Sequence, residues 1–230
     1  MSIITKFKAF ESLSNGDMDL SKILASDVFQ ELLSIGVTNA TTDRIWNNGN
    51  LKLEHPTMKW GGEDSDKTDS ITIYSNGPIR GTSYGRPHII QSAPSEIITS
   101  TDGFLKKLEW VLSYFKRKIA RDEFGLKQKV DLEPIGKAST DDFFKALFKT
   151  DPKKFLDWMD KQEKPVATKA LKAIDLSQFI KEDPVKAAMI LKKYYNIPEI
   201  QEVVNKLDPS LRNEFQQDLN LLGGLNVLGF

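Results

Sequence analysis

An α+β fold is what this sequence predicts, with N-terminal helices and a small antiparallel sheet followed by an all-α C-terminal bundle of short helices. Three observations predict it. Apolar residues fall at helical spacing near the start, alternate around Asn-Gly turns in the middle, and return to helical spacing beyond residue 102. Three later helix starts also share an Asp-Pro step.

The first helical pattern places Ile3, Ile4, Phe7, Phe10 and Leu13 on one face, and Asn15-Gly16 ends it. A second helix is capped by Asp19 or Ser21, buries Leu20, Ile23, Leu24, Phe29, Leu32 and Leu33, and closes at Gly36. The period then changes. Ile45-Trp46 and Leu51-Lys-Leu53 flank Asn47-Asn-Gly-Asn50, the turn chemistry of a β-hairpin. A second hairpin is expected where Ile71-Thr-Ile-Tyr74 meets Ser75-Asn-Gly-Pro78; Pro78 lacks an amide donor and implies an edge or bulge. The polar, glycine-led stretch from Gly61 to Asp69 reads as a solvated loop.

From Asp102 to Phe124, residues Phe104, Leu108, Leu112, Phe115 and Ile119 form one stripe, with Asp102 in the capping position. Gly125, Pro134 and Gly136 mark a connecting segment. The expected organisation is therefore a mixed domain over 1–125, a linker over 126–138, a helical domain over 139–222 and an apolar tail over 223–230. Helices are expected at 140–149, 152–162, 165–174, 184–195, 198–206 and 209–221. At Asp151-Pro152, Asp183-Pro184 and Asp208-Pro209 the carboxylate caps exposed amides, and proline at the first helical position forfeits no bond. Their unequal spacing argues for recurrent capping and a compact bundle instead of a solenoid.

Composition narrows the chemistry. The 230 residues carry 32 basic and 32 acidic side chains, so no global field draws the chain to nucleic acid or to a membrane surface. The absence of cysteine excludes disulfides, thiolate metal sites and a cysteine nucleophile. The N-terminal residues lack a signal-peptide apolar run, and no stretch of about 18 apolar residues occurs. The expectation is a cytoplasmic protein without a membrane partner.

Several constellations of residues bear on function. Gly81-Thr-Ser-Tyr-Gly85 matches the nucleophile-elbow pattern, but Arg86-Pro87 follows where a helix is needed, and His88 comes too soon to complete a triad. The acidic residues Glu63, Asp64, Asp66 and Asp69 lack the glycine and glutamate spacing of a calcium loop. His55 and His88, the two histidines, each adjoin a proline in a region of turns, so neither a catalytic residue nor a metal ligand is assigned and no cofactor is expected. The strongest charge feature is the helix after Thr101, where Lys106, Lys107, Lys116, Arg117, Lys118 and Arg121 accompany Trp110 and Tyr114. With Arg80 and Arg86 from the preceding segment, this face is a candidate phosphate-binding surface, diluted by Glu109, Asp122 and Glu123.

The tail from Leu221 to Phe230 is apolar and glycine-broken; either it folds back on its own domain or it docks on a partner through Leu225, Val227, Leu228 and Phe230. The opening Ile3-Ile-Thr-Lys-Phe-Lys-Ala-Phe-Glu-Ser12 resembles the Lys-Phe-x-x-Phe-Glu starts common among virion proteins of large tailed phages. The resemblance covers about a dozen residues, carries over no functional residue, and implies a place in a virus particle or the host cytoplasm. Taken together, the expected function is non-enzymatic structural or interaction work through a protein partner or self-association. The alternative is a nucleic-acid-binding accessory protein using helix 102–124. A third reading places an enzyme or anion site around 77–88, with Ser83, Arg86 and His88.

Overall fold

Ser26 settles the first structural question, because it divides in two the single helix expected over residues 20–33. In the computed structural model, which describes residues 18–42, 49–59, 68–75, 77–83, 86–98, 100–213 and 217, helix α1 runs Leu20–Ala25 and α2 runs Asp27–Ser34. Ser26 has extended backbone between them. Its hydroxyl donates to the Ile23 carbonyl at 2.6 Å and accepts from the Phe29 amide at 3.4 Å, so one side chain ends α1 and starts α2. Asp19 caps α1 by accepting from the Lys22 amide at 3.2 Å. Gly36 closes α2 as expected, at φ 93°. Its amide reaches the Leu33 carbonyl at 3.1 Å and the Val37 amide reaches Leu32 at 3.0 Å, the paired bonds of a Schellman motif. The helix expected over residues 3–13 lies outside the described residues.

Among the described residues five strands follow: β1 (Thr38–Asn39), β2 (Asn50–Lys59), β3 (Thr68–Tyr74), β4 (Arg80–Ser83) and β5 (Arg86–Ile89), in the order β1-β2-β3-β4-β5 with every neighbour antiparallel. The hairpin expected around residues 71–78 is present, since Ile71 pairs with Gly81 and Thr72 with Arg80. Pro78 sits in its turn. Ile45 and Trp46 lie outside the described residues; the described strand that precedes β2 and pairs with it is β1, through Asn39 and Leu53. Residues 61–67 of the expected loop are likewise outside, and Thr68 and Asp69 belong to β3.

Period-two alternation builds the core face of the sheet. Leu51, Leu53 and His55 of β2 are buried beside Ile71 and Ile73 of β3, and Lys52, Glu54, Thr72 and Tyr74 take the other face. Pro87 costs the ladder nothing. The Ile90 amide bonds the Ile79 carbonyl at 3.2 Å, so alternation puts Pro87, opposite Thr82, at a non-hydrogen-bonded pair on the outer strand.

The chain divides into two units, Met1–Tyr114 and Phe115–Phe230, and the division falls within the long helix α3 (Thr101–Asp122). The sequence places the boundary later, over 125–138. Most of that expected linker is instead helix α4 (Lys129–Lys137), which forms despite Pro134 inside it and buries Ile135 and Gly136. At the start of α3 it is Ser100, not Asp102, that caps: its hydroxyl accepts from the Gly103 amide at 3.2 Å.

The second unit continues with α5 (Thr140–Thr150), α6 (Pro152–Asp160), α7 (Lys164–Ala173), α8 (Leu176–Glu182), α9 (Pro184–Tyr194) and α10 (Pro198–Asn205), with further helix at 209–213. Asp151 and Asp183 cap as the sequence predicts, accepting from the Lys154 and Lys186 amides at 3.0 Å each, and Asp208 accepts from Ser210 at 2.9 Å. Helix α8 was not expected. Its seven residues show only Leu176, Phe179 and Ile180 at helical spacing, and Asp175 caps it through the Ser177 and Gln178 amides. The Trp158 ring lies 6.0 Å from that of Phe144 and 5.6 Å from that of Phe155, and Phe148 packs on Phe155 at 5.4 Å; these rings, with Phe143, Phe179 and Tyr194, are buried, whereas Tyr195 is half-buried.

Replacing Asp183 with Ala should lower the unfolding free energy by about 1 kcal/mol through loss of the cap. Gly36→Ala should cost about 1–2 kcal/mol, because an L side chain is strained in the left-handed region. Urea unfolding checks both.

Candidate functional site

The basic helix is organised by its apolar stripe, and two of its cations lie within that stripe. Lys107 follows Phe104 by three residues and precedes Val111 by four; Lys116 follows Leu112 by four and precedes Ile119 by three. Both are 2 % exposed. Lys107 Nζ donates to three backbone carbonyls, those of Tyr74 at 3.2 Å, Gly77 at 2.8 Å and Glu96 at 2.6 Å. The three acceptors come from the end of β3, the β3–β4 turn and the segment before α3, so one ammonium ties all of them to the helix. Burial holds the Lys107 amine below its ordinary value, and the nearby Glu96 charge pulls the other way. Lys116 Nζ donates to the Ala138 carbonyl at 2.8 Å, at the C-terminal end of α4. Neither lysine is available to a phosphate, which corrects their assignment to a nucleic-acid surface.

The remaining candidates are dispersed. Arg121 and Lys118 both bind the Asp122 carboxylate, at 2.7 Å each. Burial raises the pKa of Asp122, but the hydrogen bonds and charges of Arg121 and Lys118 outweigh it and hold the carboxyl below its usual range. Arg80 lies over the Tyr74 ring, 5.2 Å from its centroid, in a cation–π arrangement. Arg86 occupies β5 opposite Ser83, and its side chain lies outside the description. Lys106 is exposed and Arg117 half-buried. Trp110 and Tyr114, one turn apart, stack at 5.5 Å with their planes 25° apart.

The segment 77–88, where the third reading places an enzyme or anion site, is largely made of the paired strands β4 and β5. Gly81 and Ser83 are strand residues, Ser83 pairs with Arg86, and the next element is a strand, whereas a nucleophile elbow leads into a helix. Gly81 has a packing reason: a Cβ there would come within 3.0 Å of the His88 ring on its cross-strand partner. His88 itself is exposed. His55 is fully buried and its Nε2 donates to the Ile35 carbonyl at 2.9 Å, at the end of α2. Among the described residues no group of three or more His, Cys, Asp and Glu could hold a metal ion, and Glu63, Asp64 and Asp66 lie outside them.

The tail residues Leu225, Val227, Leu228 and Phe230 are also outside the described residues. On the described surface, Val185 and Met189 stand one turn apart on α9, 64 % and 54 % exposed. Among the described residues no helix is long and apolar enough to cross a membrane. Compared with protein-family models, curated proteins and solved structures, the chain matches none.

Lys107→Met keeps an unbranched side chain, one atom shorter, and removes its donors, leaving the three carbonyls without that partner. It should lower stability by about 3 kcal/mol and speed amide exchange at Ile98, whose amide bonds the Ser75 carbonyl beside the tie. Because the folded-state pKa of Lys107 is lowered, the unfolded chain binds more protons as pH rises towards 10.5, so this residue makes stability rise with pH there. Urea titrations of wild type and Lys107→Met between about pH 8 and about pH 10.5 should differ in slope in that sense.

Proposed function

We propose that this chain is a non-enzymatic structural or interaction protein that works through protein–protein contacts. The observation that carries the reading is the use of Lys107 and Lys116, at the middle of the strongest charge feature, as donors to backbone carbonyls. Lys118 and Arg121 share Asp122, so the same helix offers phosphates a much reduced cationic surface. The Gly81–Gly85 pattern begins within a hairpin strand, which weakens a catalytic reading of that serine. Surfaces suited to a protein partner are the apolar tail with Leu225, Val227, Leu228 and Phe230, and the Val185–Met189 pair on α9. A virion or assembly role rests on the resemblance of residues 3–12 to phage virion proteins.

Light scattering behind size exclusion, on the full chain and on a version ending at Leu222, tests the proposal. Self-association or a copurifying protein that disappears with the tail is the expected result. A monomer without a partner in both forms, with Val185 and Met189 replaced by Glu to no effect on any interaction, would remove its basis.

A second reading keeps nucleic acid, on one observation: exposed Lys106 lies one turn from Trp110, which stacks on Tyr114 a turn further on, and base stacking beside a cation is how single strands are held. It requires binding to a single-stranded oligonucleotide that weakens with salt and is lost in Lys106→Glu with Trp110→Ala. Anisotropy titrations at two salt concentrations decide it.

A further inference from the structure

We draw no further inference here: the strongest candidate, the Lys107 ammonium with the 90–98 segment it fastens to α3, is the structural tie already described, and nothing in the structure shows what covers the exposed Ile97 beside it.

Discussion

A backbone carbonyl taken out of water must find a donor, and that requirement shapes much of this fold. The helices of the described residues, many of them short, each leave carbonyls at their C-terminal ends with no partner inside the helix. Long polar side chains supply the donors, to exposed carbonyls as well as to buried ones. Gln30 reaches the Leu24 carbonyl of α1, His55 the Ile35 carbonyl after α2, and Lys116 the Ala138 carbonyl after α4. At the end of α6, Gln162 donates to Trp158 and Lys193 to Asp160, and the Tyr194 hydroxyl in turn donates to the Gln162 carbonyl. Lys107 extends the principle to a turn and a loop, where one ammonium satisfies three carbonyls at once.

This use of donors changes the meaning of the charge pattern. A helix that carries six basic residues looks like a phosphate-binding face when charges are counted along the chain. In three dimensions the face separates into cations turned inward, cations neutralised by Asp122 and the few that meet solvent. The buried lysines act as shaped donors, and their charge is balanced by carbonyl dipoles. A protein with equal numbers of acidic and basic residues has no excess to draw anions to such a helix.

The same reasoning separates packing from chemistry elsewhere. Gly81 leaves room for the His88 ring, and Pro87 occupies the one kind of ladder position where a missing amide does no harm. These residues looked like parts of a reactive loop because glycine, serine, arginine and histidine crowd a short segment. The pairing register gives them separate structural tasks. Elsewhere apolar side chains such as Val185 and Met189 face outward.

The sequence by itself determined the α+β class, the hairpin around residue 77, the Gly36 stop and the Asp-Pro caps, because each depends on a few neighbouring residues and on backbone geometry they impose locally. It could also have revealed Lys107 and Lys116, which stand at i+3 and i+4 positions of an apolar stripe; reading them by charge alone hid that position. The tertiary structure alone decided where the chain divides, since α3 runs through the place where contacts change from one unit to the other. It alone made α8 visible, because two helical turns leave too little periodicity to detect. It also decided which carbonyls Lys107 and His55 bind, because those acceptors lie 11 to 33 residues away and only folding brings them within reach.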